Sequence, residues 1–166
     1  MNKKYIYIII LLVFIAFGFY TFYTDNTIKF KWYDFNDGLN LAKKENKKIL
    51  INVYADWCKW CKKMESEVYP NTDIKSYIEK TFIPIKFNGE AQNKINYDGQ
   101  IYSHSEFIEA FGINGFPATI FMTSETEPIT VLPGYHDAKS YLNILKFIGE
   151  DFYLKMTYDE YLNSLK

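Results

Sequence analysis

Val53-Tyr54-Ala55-Asp56-Trp57-Cys58-Lys59-Trp60-Cys61-Lys62-Lys63-Met64-Glu65 joins an apolar run to a run of helix formers. The run before it, Lys48 to Tyr54, carries Ile49-Leu50-Ile51 and Val53 between polar residues, the pattern of a short strand buried on both faces. From Cys58 to Val68 the residues favour a helix that Pro70 ends. Two cysteines two residues apart at such a junction place the first sulfur at a helix N-terminus, where unpaired amide groups favour an anion. A thiolate nucleophile needs that environment, which lowers a cysteine pKa from about 8.5 into the range of roughly 3.5 to 7.5. Lys59 and Lys62 add positive charge. Cys58 is therefore expected to attack. Cys61, one turn along and expected to be the more buried, resolves the mixed disulfide. Trp57 and Trp60 border the pair and offer an apolar surface to a client chain.

The same spacing serves as half of a zinc site, with His104 and His136 as the other soft ligands of the chain. No second CxxC is present, and the two histidines fall on separate predicted elements, where each reads as a surface or loop residue. We therefore expect no metal and no other cofactor. A static structural disulfide is also disfavoured, because a loop of two residues barely constrains the unfolded chain.

Working outward, Phe35, Leu39 and Ala42 recur at helical spacing, with Asp34 or Asn36 available as N-cap. Lys43, Lys44, Lys47 and Lys48 straddle the end of that helix, where cations complement its dipole. Asn71 can cap a helix through Lys80, and Phe82 to Phe87 reads as a second buried strand. Asn88 to Gln100 is polar, contains Gly89 and Gly99, and reads as a long loop of open role. Ser103 or Ser105 starts a helix reaching Phe111, and Gly112 ends it. Ala118 to Met122 is a third strand, and Ile129 to Leu132 its hairpin partner across Ser124 to Glu127. Gly134 and Asp137 introduce a helix through Ile148, and Thr157 to Leu162 a short terminal one. This order predicts an α/β sandwich with a mixed central sheet flanked by helices.

The segment around the cysteines resembles the active-site segment of the thioredoxin-like superfamily, in particular SoxW-like thioredoxins and the C-terminal periplasmic domain of DsbD. Gly112-Ile113-Asn114-Gly115-Phe116-Pro117-Ala118-Thr119 is similar to that family's cis-proline segment, and Leu132-Pro133-Gly134-Tyr135 to the glycine before its last helix. The resemblance covers roughly Trp32 to Ile148. It implies a thioredoxin-like fold, a redox-active disulfide between Cys58 and Cys61, and a cis peptide at Pro117. Phe116 and Pro117 would then bind a client strand beside Trp57 and Trp60. One departure stands out. The buried aspartate usual six residues before the first cysteine is Asn52 here, which cannot titrate. The DsbD-like pattern implies that Glu65, four residues after Cys61, is a catalytic carboxylate in its stead, against the plainer reading of a solvated helix-face glutamate.

Ahead of this domain, taken as 32–166, no charged residue appears from Tyr5 to Thr24, and Lys3 and Lys4 precede the run. About 20 apolar residues span a hydrocarbon core of roughly 30 Å. We read 1–24 as a single-pass anchor or signal segment, in contact with the membrane over 5–22, and 25–31 as a linker. The positive-inside rule then puts the domain outside the cytoplasm, in the inner or plasma membrane, or free in the periplasm if Ala16-Phe17-Gly18 is cleaved. With 48% apolar residues a packed core is expected, and a net charge of -1 argues against a nucleic-acid partner. The expected activity is reduction of oxidised extracytoplasmic proteins, with a DsbD-type membrane electron donor. The alternatives are a disulfide-inserting oxidase and a non-catalytic client- or metal-binding module.

Overall fold

The computed structural model describes residues 31–166. The anchor read over 1–24 and nearly all of the linker lie outside them. Among the described residues no helix is long and apolar enough to cross a membrane.

Four strands form the central sheet: β1 (Lys48–Tyr54), β2 (Phe82–Asn88), β5 (Ala118–Met122) and β6 (Pro128–Pro133), in the order β2-β1-β5-β6. β1 runs parallel to β2 and antiparallel to β5, and β5 pairs antiparallel with β6. The sheet is thus mixed, as the element order predicted. Alternation along the two central strands makes two cores. Ile49, Ile51, Val53, Ile85, Phe87, Ile120 and Met122 face α1 (Phe35–Glu45) and α4 (His104–Ala110), whereas Leu50, Phe82 and Phe121 face α3 (Thr72–Thr81) and α5 (Ala138–Gly149). Ile51 and Ile120 are wholly buried, and each such aliphatic side chain contributes about 1.5–3 kcal/mol.

Local signals set the element ends. Asn71 accepts hydrogen bonds from the amides of Asp73 and Ile74 at the start of α3, and Asp137 accepts from Ser140 at the start of α5. Capping boxes open α4 (Ser103 with Glu106) and α6 (Tyr158–Ser164; Thr157 with Glu160). Of the lysines around the end of α1, Lys43 is exposed and meets Glu125 at 3.0 Å, whereas Lys48 opens β1, is largely covered, and meets Asp151 at 2.9 Å and the Gly149 carbonyl at 3.3 Å.

Two expectations need correction. The helix after the cysteines is α only over α2 (Lys59–Lys63), and Met64–Val68 continues it as one π turn, in which the Tyr69 amide reaches back to the Met64 carbonyl at 3.1 Å. The stretch 88–100 is not a structureless loop. β3 (Lys94–Tyr97) and β4 (Gln100–Ser103) form a separate antiparallel hairpin whose turn residues, Asp98 and Gly99, both have positive φ (52° and 76°). Ile95 plugs the hairpin into the first core, Tyr97 packs edge-on to Phe107 at 5.3 Å, and the Asn36 amide donates to the Asn96 carbonyl at 2.6 Å.

Candidate active site

Cys58 is the N-cap of α2, and its sulfur accepts a hydrogen bond from the Cys61 amide at 3.0 Å. This amide is one of the donors that a helix start leaves unpaired, so the helix solvates negative charge on that sulfur. The two cysteines are joined in a disulfide, with a Cα–Cα distance of 5.3 Å. The peptide bond Phe116–Pro117 is cis, and the Pro117 carbonyl accepts from the Gly134 amide at 2.8 Å, which ties the cis-proline segment to the end of β6.

Each tryptophan that borders the cysteines in sequence belongs to an aromatic pair. Trp57 meets Phe116 edge-on at 6.0 Å, and Trp60 lies 5.1 Å from Tyr135 with the Lys63 ammonium over both rings, 5.2 and 5.0 Å from their centroids. Trp57 (65% exposed) and Trp60 (55%) leave much of their surface in water, an unusual disposition for such large side chains unless something binds them. Phe116, Ala55 and both cysteines form a small apolar cluster of their own.

The relative burial of the two cysteines reverses the expectation. Cys61 is 7% exposed and Cys58 2%. Phe116 packs in the cysteine cluster beside Trp57, whereas Cys61 borders a pocket of about 150 Å³ lined by Asn52, Tyr54, Ala55, Asp56, Lys62, Glu65 and Lys86. Inside it the Lys86 ammonium pairs with the Glu65 carboxylate and lies 4.9 Å from the centroid of the Tyr54 ring. Asn52 (β1) and Lys86 (β2) are register partners, so the asparagine and the ion pair share one end of the sheet. Glu65 is thus held at the cavity that reaches the second cysteine.

Sequence reasoning missed Lys86, Tyr135, Glu90 and His104. A lysine inside the buried run Phe82–Phe87 was itself a signal, since a charge in such a strand needs a partner. His104 is not a surface residue: it opens α4, is buried, and stacks on Phe87 at 4.3 Å. His136 is half-buried, 3.1 Å from the Pro133 carbonyl. Among the described residues no group of His, Cys, Asp and Glu is arranged to hold a metal.

An α/β fold with a mixed sheet and a CxxC disulfide at a helix N-terminus defines a thiol:disulfide oxidoreductase domain. The chain belongs to the thioredoxin-like domain family, whose model matches residues 35–149. Among curated proteins it is 25% identical over 108 residues to the thiol:disulfide interchange protein DsbD of Yersinia pestis, covering 64% of this chain and 17% of that protein. It is 27% identical over 99 residues to human spermatogenesis-associated protein 20, covering 58% of the chain and 12% of that protein. The chain therefore spans a minor part of the length of these relatives. Among solved structures a thioredoxin-fold protein from Helicobacter pylori superposes with a TM-score of 0.60 at 21% identity, covering 72% of this chain and 80% of that one. The DsbD C-terminal domain of Neisseria meningitidis, in the reduced form, gives 0.52 at 19% identity over 67% and 90%. At these identities the structures speak to the fold.

Proposed function

We propose that this domain reduces disulfides of extracytoplasmic proteins, held at the membrane through residues 5–22 and recharged by a membrane electron donor of DsbD type. The observation that carries the reading is the Cys58–Cys61 disulfide at the α2 N-terminus, with the Glu65–Lys86 pair in the cavity beside Cys61. Similarity to DsbD supports the class of donor, and the charge-free run after Lys3 and Lys4 supports the membrane placement.

In this mechanism reduced Cys58 enters as a thiolate stabilised by the Cys61 amide and attacks one sulfur of the client disulfide. The client S–S bond breaks, a Cys58–client disulfide forms, and the other client sulfur leaves as a thiolate. The Glu65 carboxylate takes the Cys61 proton, and the Cys61 sulfur then attacks Cys58. The mixed disulfide breaks and the second client thiolate leaves. Two electrons have passed from the dithiol to the client, and Cys58–Cys61 is oxidised again. Trp57, Trp60, Phe116 and Pro117 form the surface that seats the client strand, with Tyr135 extending it. Asn52 keeps a polar but non-titrating group beside Cys61.

The test is reduction of insulin disulfides by the full chain with dithiothreitol as electron source. Catalysis above the dithiothreitol background, abolished by Cys58→Ser, is expected, and Cys61→Ser should trap the client as a mixed disulfide. No rate above background would overturn the reading.

A further inference from the structure

We infer that His104 is a positioning residue for Cys58, acting through Asn88 and Glu90 on the indole of Trp57. The inference rests on the redox reading of the pair and gives the segment after β2 a role.

The His104 Nδ1 lies 2.6 Å from the main-chain oxygen of Asn88. A carbonyl only accepts, so Nδ1 carries the hydrogen and donates it. Nε2 is then buried with no hydrogen-bond partner among the described residues. Phenylalanine would stack on Phe87 equally well without an orphaned nitrogen. What the imidazole adds is a second and shorter hydrogen bond to the Asn88 carbonyl, which also accepts from the Ala91 amide at 3.2 Å, and an unpaired buried group is tolerated where its residue supplies something else.

Asn88 passes that fixation on. Its side-chain amide donates to Asp56 Oδ2 at 3.2 Å, and its side-chain oxygen accepts from the Glu90 amide at 3.0 Å. The Glu90 carboxylate accepts from the Trp57 indole N–H at 2.9 Å. Asp56 and Trp57 immediately precede Cys58, so both branches end at the nucleophile. Between them, Gly89 is pressed against Phe116: a Cβ there would lie 2.7 Å from that ring. The segment 88–90 is therefore a wedge under the Trp57–Phe116 wall beside Cys58, which is 2% exposed. Phe116 packs on the cysteine cluster and Trp57 on Phe116, so how firmly His104 holds this wall sets how readily an incoming thiolate reaches the Cys58 sulfur.

The experiment measures reduction of the oxidised full chain by dithiothreitol under pseudo-first-order conditions, followed by tryptophan fluorescence. One dithiothreitol thiolate attacks Cys58 and Cys61 leaves as a thiolate. The second dithiothreitol sulfur then attacks the first and closes a ring, the Cys58–dithiothreitol bond breaks and Cys58 leaves as a thiolate, so the reagent is oxidised and the protein disulfide reduced. His104→Phe, which keeps the stack and loses the donor, should speed this reaction about fivefold, the population change that loss of one ordinary hydrogen bond produces. His104→Asn, which keeps a donor, should stay near the wild-type rate, and Glu90→Ala should match His104→Phe. The double variant H104F/E90A should be no faster than either single one, because both act on one path. An unchanged rate in H104F, or a double variant whose gain is the product of the single gains, would overturn the inference. Should H104F fail to fold, Asn88→Ser cuts the same path: a similar gain supports the inference and an unchanged rate overturns it. A wild type that does not cycle with dithiothreitol defeats the redox reading itself, whereas a wild type that cycles beside an unaltered H104F defeats only the role of His104.

Discussion

In the proposed mechanism Asn52 and Glu65 divide between them what one buried aspartate does in the pattern this chain resembles. Asn52 is buried in β1 and cannot hold a charge, while the Glu65 carboxylate sits half in water, paired with Lys86 at the cavity beside Cys61. The proposed proton transfer from Cys61 is thereby separated from the buried sheet position. Glu65→Gln should slow the escape of Cys61 from the mixed disulfide, by up to about a hundredfold, the low end of what positioned acid–base groups supply. Quenched-flow trapping of the Cys58–client species would show it as a longer lifetime, and an unchanged lifetime would assign Glu65 to the Lys86 ion pair alone. At this scale the Cys58–Cys61 pair and the cis bond at Pro117 were legible because each sits in a local motif. Lys86 and His104 were not, since what matters about them is which distant residue they touch.

The helices owe their ends to capping groups, and three of these carboxylates carry the signature in their ionisation. Glu106, Asp137 and Glu160 are held below the usual carboxylate range chiefly by backbone hydrogen bonds, at Ser103, Ser140 and Thr157 respectively. A carboxylate whose pKa is lower in the folded than in the unfolded chain contributes stability that is present above its unfolded pKa and lost as pH falls through its folded pKa. The melting temperature should accordingly fall through the acid carboxylate range, and the triple variant E106Q/D137N/E160Q should show a shallower acid limb. Differential scanning calorimetry across that range checks it, and parallel limbs would contradict it. Because caps are short-range signals, Asn71, Ser103, Asp137 and Thr157 were readable in advance as element starts. The β3–β4 hairpin was read as a loop, because the polar composition around it masked the turn signal of Asp98-Gly99 between Tyr97 and Gln100. The π turn at Met64–Val68 left no such mark, since it depends on how the helix meets the second core.

Across the whole molecule, the second core is pinned by hydroxyls that link α5, the segment before α3 and the sheet. The Tyr141 hydroxyl lies 3.2 Å from the Thr119 hydroxyl and 3.5 Å from that of Tyr69. Burial pushes Tyr141 up from its ordinary 10.0 to about 12, and Tyr69 well above its ordinary value. For a group whose pKa is raised on folding, the stability it contributes is full below the unfolded pKa and disappears as pH climbs through the folded one. The domain should therefore lose stability between about pH 10 and pH 12. Tyr141→Phe should cost about 1 kcal/mol at neutral pH through its lost hydrogen bonds, yet soften the alkaline loss. Urea titrations at neutral and alkaline pH check both, and a variant as alkali-sensitive as the wild type would contradict them. The α/β class and the mixed sheet were legible at this scale because the order of helices and strands constrains topology. The relative burial of Cys58 and Cys61 was not, because it depends on residues brought to the pair from elsewhere in the chain, Phe116 against the cluster and Lys86 in the pocket that Cys61 lines.

The measurement closest to the central claim is the reduction potential of the Cys58–Cys61 couple in the full chain, equilibrated against glutathione buffers and read by tryptophan fluorescence. A reversible two-electron transition near or below about -230 mV, in the range of reducing thioredoxin-type couples, is the result we expect. A value near about -120 mV would mean a disulfide-inserting oxidase, and a pair that does not cycle would mean that Cys58 and Cys61 do not turn over at all.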